Sequence, residues 1–235
     1  MRIKKSITKA KSRSNVESDL LFNGANQYLE SGSSLATTSG KVLLFSMFIE
    51  MKSVKQGGIF DHNLGDVSLW TNSSNGLICS FNRTSSPTAI STSYTVPINK
   101  KIHLGYIISP ATLTSKFEVF VNAIKTIDTS SPNIKTDTSG VLRFGRYTTN
   151  YHNFNLSNFA VMEFDTLAEA ESMNEYLYQN GGLVPESAHA NCIAHYPLTE
   201  RYAYKPNIFC NAGSSVDGNC GYVGAGLRAT TFYVN

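Results

Sequence analysis

Short apolar runs separated by turn residues recur along most of this chain, and that rhythm confines it to an all-β architecture. Runs rich in aliphatic and aromatic residues span Asp19 to Phe22, Tyr28 to Glu30, Lys41 to Met51, Gly58 to Asp61, Val67 to Thr71 and Gly76 to Asn82. The pattern continues through Ser91 to Val96, Lys101 to Ser109, Lys116 to Val121, Ile124 to Ile127, Leu142 to Arg146 and Leu156 to Phe164. Strands this short and evenly spaced pack as a two-sheet antiparallel jelly-roll sandwich, because each sheet must bury one apolar face against another layer. With 235 residues, 41% of them hydrophobic and only 16% charged, the chain can fill one such core.

Turn chemistry predicts two hairpins. Asn23-Gly24 supplies the positive φ angles of a tight turn, so Leu20 to Leu35 reads as an opening hairpin that pairs the first two runs. Asn122-Ala123 turns the second, between Lys116–Val121 and Ile124–Ile127. One segment departs from strand periodicity. From Thr166 to Asn180, Leu167, Ala170, Met173 and Leu177 recur at helical spacing, Thr166-x-x-Glu169 forms a capping box, and Gly181 stands where helices stop. The chain therefore divides into a basic arm (1–18), a jelly-roll domain (19–183) with its short helix (166–180), and an extension (184–235) that wraps the domain. The end of that extension, Arg228 to Val234, is expected to add a strand to a sheet edge.

Charge is unevenly placed. Arg2, Lys4, Lys5, Lys9, Lys11 and Arg13 precede the first acid, Glu17; removing those six charges from the formal +3 leaves −3 on the rest. Such an arm is expected to dock on an acidic neighbour within a larger homo- or hetero-oligomeric assembly. Six cations without interleaved aromatics give no sequence-specific nucleic-acid reader. No secretory signal follows the basic start, and no apolar run approaches the roughly 20 residues of a membrane span.

Four cysteines, Cys79, Cys192, Cys210 and Cys220, are irregularly spaced and lack a CxxC pair, which excludes the usual structural zinc patterns. Cys79 lies in a strand run and is expected as a buried thiol. Cys210 and Cys220 bracket a Gly-rich stretch and pair only if the chain meets an oxidising compartment.

Residues 19 to 180 resemble the laminin G-like branch of the concanavalin A-like lectin and glucanase superfamily. The likeness rests on a succession of motifs: Leu21-Phe22-Asn23-Gly24 with Tyr28-Leu29, Phe45 to Glu50, Gly57 to Asp61, Phe117 to Asn122, Leu142 to Arg146, and Phe154 to Phe164 followed by the helix. The resemblance implies two antiparallel sheets, one concave, and a role in holding glycans or proteins, as in adhesins and bacteriophage virion proteins. It makes a non-enzymatic virion component the leading expectation: a capsid decoration, head-fibre or tail-associated protein made in the cytoplasm and anchored by its arm. The rival is a soluble glycan-binding lectin.

Candidate site residues follow from the chemistry those roles need. Sugar rings stack on aromatic faces, so Trp70 and the loop carrying Arg146, Tyr147, Tyr151 and His152 form the expected binding residues. No cofactor is required, although Asp61, Asn63 and Asp66 place oxygen ligands in one loop where calcium could be held. No catalytic residue is assigned. Glu163 and Asp165 imitate the paired carboxylates of the glucanase branch, but the next acid, Glu169, belongs to the helix cap. No GxSxG elbow, phosphate loop or HExxH occurs. His103 is expected as a packing residue.

Overall fold

The computed structural model describes residues 20–24, 28–30, 34–62, 66–83, 88–147, 150–196 and 233–234. The strands are β1 (Leu20–Asn23), β2 (Leu29–Glu30), β3 (Leu35–Ala36), β4 (Val42–Met51), β5 (Gly57–His62) and β6 (Val67–Thr71). They continue as β7 (Gly76–Phe81), β8 (Thr88–Thr95), β9 (Ile102–Ser109), β10 (Lys116–Val121), β11 (Ile124–Ser130) and β12 (Ser139–Gly140). The last are β13 (Leu142–Phe144), β14 (Arg146–Tyr147), β15 (Asn150–Tyr151), β16 (Asn153–Phe164), β17 (Cys192–Tyr196) and β18 (Tyr233–Val234). A single α-helix, α1 (Leu167–Gln179), and a 3-10 turn (Glu186–Asn191) complete the described elements.

These strands build a jelly-roll sandwich. Its first sheet runs β11-β10-β9-β4-β16-β1-β18, with β17 pairing the second half of β16; the second runs β14-β15-β5-β6-β7-β8, with β13 between β5 and β2. Strand alternation makes the core. On β4, Leu43, Phe45, Met47, Ile49 and Met51 face the second sheet, where Phe60, Val67, Leu69, Leu77, Cys79 and Phe81 meet them. The rings of Phe45 and Phe60 stack across the layers at 5.0 Å. Each fully buried chain of this size contributes about 2 kcal/mol. The Cys79 thiol is free and buried, and burial pushes its pKa up.

The intervening residues of the first sheet face outward and are apolar as well: Val42, Leu44, Ile107, Ala160, Met162 and Phe164 form a second cluster beneath α1. Ala170, Asn174 and Leu177 are the helix residues buried there. The predicted cap forms: the Glu169 amide donates to Thr166 Oγ1 at 3.2 Å, and the Thr166 amide donates to Glu169 Oε2 at 3.0 Å. The helix approaches β9 so closely that a Cβ on Gly105 would lie 1.8 Å from Asn174 Oδ1. Glycine at 105 is what lets the helix seat.

The opening hairpin expected at Asn23-Gly24 does not form. β1 pairs with β16 and β18 in the first sheet, whereas β2 pairs with β13 in the second. Gly24 does take a positive φ of 71°, as the dipeptide suggested, but at a crossing between layers. Burial of Phe22, stacked on Phe154 at 5.0 Å, sets the register of β1. The second expected hairpin is present, with φ of 50° at Asn122 and 61° at Ala123 joining β10 to β11. Tyr233 and Val234 pair with β1, so the terminal strand expected from Arg228 to Val234 is realised at those two residues; 197–232 lie outside the described residues. Among the described residues no helix is long and apolar enough to cross a membrane.

Candidate functional site

The second sheet also has an outer face, and one end of it carries the aromatic residues singled out in the sequence. On β6, Val67 and Leu69 enter the core, so Ser68 and Trp70 point the other way. Trp70 stands opposite Gly58 on β5. The absence of a side chain there admits a second layer: a Cβ on Gly58 would lie 2.2 Å from the Arg146 carbonyl carbon and 2.3 Å from the Tyr147 nitrogen. Gly145, with φ of 79°, turns the chain onto this spot and donates its amide to the Ile59 carbonyl at 3.0 Å. β14 and β15 then pair as a miniature hairpin, and β15 runs parallel to β5 at Gly58.

This folding stacks the Tyr147 ring on Trp70 at 4.4 Å, with the planes 4° apart. The Arg146 guanidinium lies over two further rings, 5.1 Å from the centre of Tyr28 and 5.7 Å from that of Tyr151. Those rings are 6.3 Å apart and tilted by 47°. Tyr28, Arg146, Tyr147 and Tyr151 are all half-buried, presenting part of each ring and guanidinium at the surface. Burial, and then the nearby Asp61 carboxylate, push the Tyr147 hydroxyl pKa up, so it stays a neutral donor. Lys55 Nζ donates to the Gly24 carbonyl.

Two expected contact residues change role. Trp70 is only 7% exposed because Tyr147 covers it, so its indole supports the outer ring and is not itself the stacking surface. His152 is fully buried, edge-on to Phe154 at 5.8 Å, and burial lowers its pKa to about 4; it is neutral packing beneath the hairpin. Tyr28 joins the site unannounced. The Asn23-Gly24 signal assigns it to the opening hairpin, and only the pairing of β2 with β13 carries it next to Arg146.

Of the expected cation ligands, Asp61 lies in β5, buried, 3.8 Å from Arg143 Nη1. Asp66 accepts from Thr138 Oγ1 at 3.3 Å, and Asn63 lies outside the described residues. Among the described residues no group of three or more His, Cys, Asp or Glu side chains could hold a metal. Of the glucanase-like carboxylates, Glu163 accepts from the Thr38 amide and Asp165 pairs with Lys41. His103 is buried as packing, bonded to Ser46 Oγ at 2.8 Å. The arm residues Arg2, Lys4, Lys5, Lys9, Lys11 and Arg13, and Cys210 and Cys220, lie outside the described residues, and with them the anchoring expected of the arm.

No protein-family model and no curated protein sequence matches the chain. Solved structures match in three dimensions. A heptameric SAP-like pentraxin from Limulus polyphemus superposes with a TM-score of 0.52 at 14% identity, over 72% of this chain and 85% of its own. A protein from Bacteroides ovatus, for which carbohydrate binding has been proposed, superposes with a TM-score of 0.56 at 16% identity, over 79% of this chain. The match spans about half of that protein, 53% of its length. Likenesses at such low identity speak to fold alone: this chain is similar to these two proteins in its two-sheet β-sandwich fold.

Proposed function

We propose that the protein is a non-enzymatic binding module that holds a saccharide on the surface formed by Tyr28, Arg146, Tyr147 and Tyr151. The observation that carries this reading is the Arg146 guanidinium held against Tyr28 and Tyr151 beside a Tyr147 ring backed by Trp70. Pyranose rings offer apolar C–H faces to aromatic planes and hydroxyls to fixed donors, and this cluster supplies both. The Tyr147 and Tyr151 rings lose little freedom on binding, because Gly58 and the β14–β15 pairing already fix their backbone. The fold shared with the Bacteroides ovatus protein supports the reading.

A glycan array run with and without chelator tests it. Binding of at least one glycan is expected, at least tenfold weaker in Tyr151→Ala, while the melting temperature stays within a few degrees. Chelator is expected to leave binding intact, since Asp61 and Asp66 each meet a protein partner, Arg143 and Thr138. An array with no bound glycan in either condition overturns the reading.

A further inference from the structure

A cleft of about 670 Å³ lies between α1 and the 3-10 turn, away from the aromatic cluster. Its floor is apolar, made by Phe164, Met173, Pro185 and Ala188, and Tyr176, 39% exposed, stands at its wall. Glu169 lines it, Glu186 adjoins it through Ser187, and both are exposed. The surroundings are acidic to an unusual degree. Residues 147–199 contain six acids, Glu163, Asp165, Glu169, Glu171, Glu175 and Glu186, and no Lys or Arg. The preceding stretch, 20–146, has the opposite balance, eleven Lys and Arg against seven Asp and Glu. The segment carrying the helix is thus acidic, although Lys41 and Lys125 from other strands and loops reach two of its acids.

We propose that this cleft is the docking site of the chain's own basic arm, residues 1–18. Charge complementarity selects the occupant: the arm places six cations before any acid, and the segment carrying the helix is acidic without a cation of its own. Its larger apolar residues fit as well, since Ile3, Ile7 and Val16, set among cations and small polar residues, suit an apolar floor. Position favours the same chain. Leu20, where the arm joins the fold, pairs with Leu156, and two residues on Asn158 Nδ2 donates to the Gly181 carbonyl just past the end of α1. The arm therefore starts near the end of the helix that walls the cleft, and its 18 residues can span up to about 60 Å. Tethering gives it an effective concentration in the millimolar range, beyond that of free partners. Two nearby acids are already matched, Asp165 by Lys41 and Glu171 by Lys125, which leaves Glu169, Glu175 and Glu186 to meet the arm.

Zero-length carbodiimide cross-linking of the full-length protein, mixed from equal parts of unlabelled and 15N-labelled chain, tests this. Cross-links are expected from Lys4, Lys5, Lys9 or Lys11 to Glu169, Glu175 or Glu186, within chains of one isotope, and lost in 0.5 M salt, a condition of roughly 4 Å screening length. The Glu175→Lys/Glu186→Lys variant should lose most of them while the Lys125–Glu171 cross-link, from a 2.6 Å pair, persists as the internal control. With that control present, arm lysines that remain unlinked or react with Asp128 or Asp137 instead overturn the proposal. Cross-links joining chains of different isotope overturn the same-chain assignment and return the arm to an anchor between copies.

Discussion

Both outer faces of this sandwich carry a second layer, and in both the layer is seated on a glycine, yet the two layers differ in kind. Over the first sheet, α1 lies against Gly105; over the second, the backbone of Arg146 and Tyr147 crosses Gly58. The helical layer is regular, buries Val42, Leu44, Ile107 and Met162, and serves to complete a core. The hairpin layer is two residues a side and stabilises little apolar area, but it fixes an arginine and three tyrosines at the surface. A cover that is cheap in chain length and dear in geometry is what a binding surface needs, since its side chains must be held without being buried.

Acid should strike both layers, with the largest effect of all. His103 and His195 belong to the first sheet and His152 lies beneath the hairpin; burial lowers the pKa of each to about 4. A histidine whose folded pKa is depressed contributes stability above its unfolded value near 6.5 and loses it as pH falls toward 4. Together with His62 in β5, whose pKa burial also lowers, these groups predict a slope of roughly 4–5 kcal/mol per pH unit in that window, readable from denaturant midpoints. His152→Phe and His103→Phe should each remove about 1 kcal/mol per pH unit of it; a slope carried by one sheet alone would break the symmetry between the layers.

Gly58→Ala comes next, because its Cβ would meet backbone atoms with no freedom to rotate away. A loss of about 3 kcal/mol is expected, with Tyr147 displaced from Trp70. Trp70 is the sole tryptophan, so its emission should shift to the red and report the displacement directly. Unchanged emission would mean that the hairpin does not depend on Gly58.

Gly105→Ala meets the end of a side chain instead, and about 2 kcal/mol is expected. Asn174→Ala removes the obstacle, so in the double variant most of the loss should vanish. A double-mutant cycle without coupling above about 0.5 kcal/mol would deny that the helix is seated at this contact. The smallest effect lies outside both layers: Ala123 holds a φ of 61° in the β10–β11 turn, and Ala123→Gly should raise stability by about 0.5–1 kcal/mol in thermal unfolding.

The helical layer was legible in the sequence and the hairpin layer was not. Leu167, Ala170, Met173 and Leu177 announce an apolar stripe, and Thr166 with Glu169 announces its start, because both signals lie within a few residues of each other. Asn174, buried on that stripe, broke the apolar pattern and went unread. In the site, Arg146, Tyr147 and Tyr151 were legible as a rim loop rich in aromatic residues, whereas Tyr28 was assigned to a hairpin that does not exist. Trp70 was legible as a strand residue alternating with Leu69, but not as one roofed by a tyrosine 77 positions later.

What the sequence determined alone is whatever a short window encodes: strand periodicity, the capped helix, the turn at Asn122-Ala123, and the separation of basic arm from acidic helix segment. Tertiary structure decided the rest. It chose Leu156 over Leu29 as the partner of β1, carried Tyr28 to Arg146, buried His152, and laid Tyr147 over Trp70. The reason is that a strand's backbone offers the same hydrogen bonds to any neighbour, so its partner is selected by how distant side chains such as Phe22 and Phe154 pack in one core.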